Sequence, residues 1–233
     1  MAGRRRENNG GWVEEKGAKA GKVVKESSDS EFRAALGTAM SGRLILAPGA
    51  GGVQIEADEG LPDLCRAHFE GCVPAVRAEA GVVTIRYRML PRLDWLGHHR
   101  EPRATIRLRG GMPWEIELRG SLSRLAADLA GLYLRSLDLN SDAGEAEIRL
   151  PEPLGTVYVQ ANGRLGALVL TRPDGVALRI QVSGGGARLA CDGRMLATTG
   201  DGVQWQTADY AAADCRYDVR VSGLAGDLTV GTW

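Results

Sequence analysis

Adjacent histidines His98 and His99, lying between Asp94 and Glu101, form the chain's densest group of metal-binding or acid–base side chains. Neighbouring side chains on an extended backbone point apart, and zinc needs ligands at defined positions, so a solvated loop is the simpler reading. His68 is too distant in sequence to assign to them. Asp138, Glu145, Glu147 and Glu152 form an acidic stripe, balanced by Arg135 and Arg149. Polysaccharide hydrolases use two carboxylates flanking the scissile bond. Here the acids alternate with arginines, and Gln160 and Arg164 replace them one unit later, which fits an ordinary charged surface.

Asn140-Ser-Asp142 and Arg172-Pro-Asp174-Gly175 offer oxygen ligands of the kind calcium takes, but corner and turn chemistry accounts for both. Gly184-Gly-Gly186 lacks the lysine and following helix that a phosphate cradle requires. No Gly-x-Ser-x-Gly elbow or dinucleotide fingerprint occurs in plausible context, and no nucleophile stands out. The residues therefore point to no enzyme, no cofactor and no metal. Cys65 and Cys72 are not spaced as a zinc knuckle, whereas Cys191 and Cys215 bracket an insertion and could meet at its neck.

These residues ride on a repeating hydrophobic pattern. Leu137, Leu139, Ser141, Ala143-Gly144, Ala146 and Ile148 are echoed by Val159, Ala161, Gly163, Leu165-Gly166, Leu168 and Leu170. Further echoes run from Ile116 to Ala127, from Ile180 to Leu189 and from Val219 to Val230. A period of about 21 residues, with two short alternating strands and a small-residue bend per unit, is a solenoid signature. If each run pairs with its equivalent in the next unit, parallel ladders form and the apolar residues stack inside. The insertion, residues 190–214, reads as a hairpin with arms at Met195–Thr198 and Val203–Gln206 around Gly200-Asp201-Gly202.

The start of the chain differs. Residues 1–31 are polar and read as a loosely packed leader, with Arg4 to Arg6 a solvated run. Strands are expected at Phe32–Leu36, Gly42–Leu46, Val53–Ala57 and Thr105–Leu108, with a hairpin joining Val73–Glu79 to Val82–Tyr87. Asp58 to Cys72 lacks a clear period and reads as a loop. The chain thus divides into a leader, a β cap region at 32–110 and a repeat region at 111–233. Its 233 residues carry 32 glycines, which suits tight stacked bends, and a formal net charge of zero, which gives no general attraction to nucleic acid. No stretch matches the apolar length of a membrane helix and no export signal is recognisable, so the expectation is a cytoplasmic chain without direct membrane insertion.

The units "LRSLDLNSDAGEAEIRLPEP" and "YDVRVSGLAGDLTVGTW" resemble those of LiaF-like C-terminal domains of cell-wall-active antibiotic response proteins, and of the related toast-rack and putative-adhesin β-solenoids. The segment "FRAALGTAMSGRLILAPGA" is similar to the opening of a toast-rack domain. The resemblance implies an all-β, single-stranded, right-handed parallel β-solenoid with an antiparallel N-terminal cap. It supplies no catalytic residues. The function expected is a non-enzymatic scaffold or protein-interaction module, bacterial and related to envelope stress or antibiotic response. Carbohydrate binding or processing and an adhesin-like surface role are the alternatives. Contact with a protein partner or a second copy is expected at Trp205 and Tyr210 on the insertion, where the alternative for Trp205 is a cap over the solenoid, and at a terminal strand edge near Leu228 and Val230. Trp114 and Trp233 are expected to plug the two ends of the stack.

Overall fold

The computed structural model describes residues 31–47, 51–87, 102–183, 188–196 and 202–233. The leader up to residue 30, the His98-His99 group with Asp94 and Glu101, the Gly184-Gly-Gly186 bend, Thr198 and Gly200-Asp201 lie outside the described residues.

The described residues form strands and no helix. The first seven are β1 (Glu31–Ala34), β2 (Gly42–Ala47), β3 (Gly52–Asp58), β4 (Cys65–Glu70), β5 (Ala75–Glu79), β6 (Val82–Arg86) and β7 (Arg103–Arg109). Three long strands follow, β8 (Pro113–Asp128), β9 (Tyr133–Arg149) and β10 (Thr156–Arg172). The last five are β11 (Ala177–Ser183), β12 (Arg188–Cys191), β13 (Arg194–Leu196), β14 (Val203–Gln206) and β15 (Arg216–Thr232). β4 corrects the expected loop at Asp58–Cys72: Cys65, Ala67 and Phe69 point inward in alternation with Arg66, His68 and Glu70.

Alternation explains how the strands stack. Each long strand has two arms, and in β9 these bury Leu137 and Leu139 on one and Ala146 and Ile148 on the other. Equivalent residues align in parallel across strands, as in Ile116–Leu137–Val159–Val219–Ile180 on the first arm. Leu125, Ala146, Leu168, Leu228 and Leu189 make the corresponding column on the second. Both columns belong to one continuous hydrophobic core. Before β8, the pair β2–β3 supplies the same two arms, and β6–β7 supplies them again.

The order of these rungs differs from the order of the sequence. β15 lies between β10 and β11–β12, so the third and fourth repeats are not neighbours. Likewise β2–β3 lies between β6–β7 and β8. Neighbouring strands are about 4.8 Å apart. The link between Arg172 and Ala177 is four residues long, and four extended residues reach about 14 Å, so such a link spans one rung or two. The periodicity therefore leaves the order open.

This corrects the expected terminal edge. Leu228 and Val230 are buried, and β15 is paired on both sides. The antiparallel strands are β4 on β7, β1 on β4 and β5 on β6 at one end, and β14 on β11 and β13 on β12 at the other. The insertion is thus not one hairpin: its two arms pair with different strands of the last rung. Trp114 and Trp233 plug neither end. Trp114 is fully buried on β8 with its Nε1–H donating to the Arg109 carbonyl at 2.8 Å. Trp233 is half-exposed, donates to the Leu150 carbonyl at 3.2 Å and lies under the Arg149 guanidinium at 3.9 Å.

Small residues at the bend permit the close stacking. A Cβ on Gly166 would lie 2.5 Å from the Gly144 carbonyl oxygen, and one on Gly144 would lie 2.7 Å from that of Ser123. Since backbone cannot yield as a side chain does, Gly166→Ala is predicted to destabilise the protein by about 1–3 kcal/mol in urea unfolding, the usual range for overpacking. Gly231→Ala, where a Cβ meets nothing within 4 Å, is predicted to be near neutral.

Candidate functional site

The last rung and the segment after it form the most elaborated end of the stack. A column of core leucines, Leu129 and Leu150, continues at Arg172, which is 4% exposed. The guanidinium grips both oxygens of Asp192 at 2.9 Å each. It also donates to the carbonyls of Val176 at 2.8 Å and Gly231 at 3.3 Å. Arg172 therefore ties the β12–β13 turn to the ends of β10 and β15. Beside it lies a cleft of about 520 Å³, lined in part by Asp174, Asp192, Thr207, Asp209 and Thr232. With its guanidinium committed to Asp192, Arg172 offers little to an incoming anion and acts as a structural tie.

A second tie covers the outward face of the first arm. Asp218 is 3% exposed and pairs with Arg179 of the neighbouring strand, while its Oδ1 has no hydrogen-bond partner. The Tyr210 hydroxyl lies 3.4 Å from Oδ2 of Asp218, and the guanidinium groups of Arg179 and Arg216 lie over the ring at 4.8 and 5.0 Å. Arg216 also donates to the carbonyls of Tyr210 and Ala213. Tyr210, expected as a partner contact, is thus a buried clamp that fastens the segment before β15. Trp205 is half-buried, packed against the core from β14. At this end Met195 of β13 is 69% exposed.

The acidic stripe is split by the bend. Asp138 lies on the first arm opposite Glu117 of β8, whereas Glu145 and Glu147 lie on the second. Glu145 pairs with Arg124 at 2.5 Å. Burial, then the nearby Glu117, pushes the Asp138 carboxyl above its usual range. Hydrogen bonding from Arg119 holds Glu117 below its own. Such divergence suits acid–base pairs, but Glu117 is already held by Arg119 at 2.6 Å and Arg43 at 3.2 Å. Asp142 performs corner chemistry, its Oδ1 accepting the Arg164 amide at 2.8 Å.

The four cysteines are free thiols. Burial pushes Cys65 and Cys191 up to about 12, away from nucleophilic chemistry at neutral pH. Cys215 is exposed and its sulfur accepts the Gly155 amide at 3.3 Å. Among the described residues no group of three or more His, Cys, Asp or Glu is placed to hold a metal ion, and no helix is long and apolar enough to cross a membrane.

No protein-family model and no curated protein sequence matches the chain. A solved structure does. A "putative cell adhesion protein" from Clostridium sporogenes superimposes with a TM-score of 0.73 at 18% identity, over 87% of this chain and 98% of that one. The likeness is one of fold. Two proteins named "putative adhesin", from Parabacteroides merdae and Bacteroides fragilis, align at 10% and 7% identity over 86% of this chain. They cover 95% and 94% of their own chains, but their TM-scores of 0.23 carry no weight.

Two signals for this site were present in the sequence and passed over. Arg172 occupies the position of Leu129 and Leu150, a break in an apolar column. Asp218 alternates with the inward Tyr217 and Val219, so only the cover supplied by Tyr210 makes it buried. Arg172→Ala is predicted to cost about 1–3 kcal/mol in chemical denaturation, because it leaves the Val176 and Gly231 carbonyls without their donor while Asp192 stays open to solvent. Arg172 holds the Asp192 carboxyl below its usual range. That contribution is complete above the unfolded value of about 3.9 and is lost as pH falls through the lower folded value. Below about pH 4, the wild type is therefore predicted to lose stability more steeply than Asp192→Asn.

Proposed function

We propose that the chain is a non-enzymatic interaction module: a right-handed parallel β-solenoid that presents rigid outward faces and end strands to other molecules. The observation that supports this most is the likeness to the Clostridium sporogenes structure along nearly the whole of both chains. That protein's name, "putative cell adhesion protein", favours an adhesin-like use, in which a stiff repeat body holds binding surfaces at the cell surface. Stacked rungs suit the task because each is fixed by its neighbours, so outward side chains keep their spacing.

Self-association is proposed through the end strands. Among the described residues β13 pairs with β12 and β14 with β11, each along one side, and the other side is the surface proposed for strand addition. Met195 supplies exposed apolar surface on β13. In light scattering at high concentration, the chain is predicted to self-associate and Met195→Asp to be monomeric with unchanged melting temperature. A monomeric wild type would remove strand-end association from the account.

The LiaF-like form of the units supports a second reading, a cytoplasmic scaffold in envelope-stress or antibiotic-response signalling. Compartment separates the two. A tagged chain in its own cells is predicted to be cleaved by protease added to intact cells. Full protection, with recovery in the soluble lysate, would overturn the adhesin-like reading in favour of the scaffold.

A further inference from the structure

We propose that the outward face of the first arm, where β10, β15, β11 and β14 lie side by side, binds an uncharged polysaccharide. This names a partner class for the interaction module and rests on that reading. Two rows of side chains cross the four strands in register. The first holds Tyr158, Asp218, Arg179 and Gln206, and the second holds Gln160, Arg220, Gln181 and Gln204. The rows lie two residues apart along each strand, about 7 Å, and each extends about 14 Å across the strands.

Four of the chain's five glutamines stand in these rows, the fifth being Gln54. A glutamine amide donates and accepts hydrogen bonds without carrying charge. Gln181 shows this use within the face, its Nε2 donating to Oε1 of Gln204 at 3.3 Å. Both arginines of the rows flank one carboxylate, Asp218, and the other five side chains are uncharged. The face therefore offers a field of amides in place of a field of one sign.

A second observation points to hydroxyl groups. Asp218 is 3% exposed, and among the described residues its Oδ1 has no hydrogen-bond partner. Nε of Arg179, its neighbour in the row, is likewise buried without a partner. One atom lacks a donor and the other lacks an acceptor, and buried groups left so are costly. A hydroxyl can serve either. A carboxylate or sulfate has no hydrogen to give Oδ1 and meets a like charge there. Arg220 Nε stands 3.6 Å from Oδ1, beyond hydrogen-bond reach. Its side chain is 57% exposed, so it can swing aside to admit a ligand group.

Tyr158 supplies the apolar contact. It is 48% exposed beside Asp218, and its ring gives a flat apolar surface against which the C–H face of a sugar packs. Rows at a fixed strand spacing suit a polymer of like units, because several weak contacts form together.

The test uses the full chain on immobilised dextran, mannan and xylan as uncharged polymers, with polygalacturonate and heparin as acidic ones. Binding to at least one uncharged polymer is expected, tighter than to either acidic one and undiminished as salt is raised. The triple variant Gln160→Ala/Gln181→Ala/Gln204→Ala is expected to bind at least about 10-fold more weakly, the loss of two or three uncharged hydrogen bonds. Tyr158→Ala is also expected to bind more weakly, and both variants to melt within a few degrees of wild type. Arg124→Gln, which removes an exposed pair with Glu145 on the second arm, is expected to bind as wild type. No binding to any uncharged polymer, equal binding by the triple variant, or tighter binding to an acidic polymer would overturn the proposal. A chain that self-associates through its end strands yet binds none of these polymers overturns this inference alone and leaves the interaction-module reading standing.

Discussion

A ladder of parallel rungs has no end of its own, because the outermost rung always leaves a row of N–H and C=O groups without partners. The same device answers this at both ends. The chain's first rung, β2–β3, is covered by β6–β7, and its last, β15, is covered by β11–β12. Antiparallel strands then finish the stack: β1, β4 and β5 at one end, β13 and β14 at the other. Each remaining edge strand is short, from three residues in β13 to five in β5. Short edges limit uncontrolled strand addition.

Threading β15 between β10 and β11 requires that the outer rung and its cap be held while the chain returns. Arg172 supplies one fastening, joining β10 to the β12–β13 turn and to the last residues of β15. Tyr210 supplies the other, with guanidinium groups of β11 and β15 over its ring and its hydroxyl near Asp218. These buried polar groups interrupt an otherwise apolar and repetitive architecture. They distinguish the last rung from those before it, so that one order of stacking is favoured over others with the same hydrophobic columns.

The columns themselves were legible in the sequence. Leu137, Leu139, Ala146 and Ile148 recur with a bend of small residues between them, and alternation fixes which side chains point inward. Rung order was not legible, because Ile180 and Val219 fit beside Val159 equally well and the four-residue link reaches either slot. β4 carried a visible signal in Cys65, Ala67 and Phe69, but loss of the period hid it. Tyr210 was read as a contact because it lies on an insertion, where recognition tends to sit, and the two arginines that lie over its ring come from separate strands. Arg33, Arg66 and Arg107 become neighbours only through antiparallel pairing of strands from three parts of the chain.

The interior position of β15 is the claim on which the ends, the edges and their surfaces all depend, and cysteine pairs on the outward face test it most directly. Gln160, Arg220 and Gln181 share one row across β10, β15 and β11. In a Cys215→Ser background, Gln160→Cys/Arg220→Cys places the thiols on adjacent strands about 4.8 Å apart at Cα, within disulfide reach. Gln160→Cys/Gln181→Cys places them two strands apart, beyond the roughly 7 Å limit. Mild oxidation is predicted to cross-link the first pair rapidly and within the monomer, and to leave the second as free thiols. Rapid intramolecular cross-linking of the second pair, with the first unreacted, would put the rungs in sequence order and contradict the structure described here.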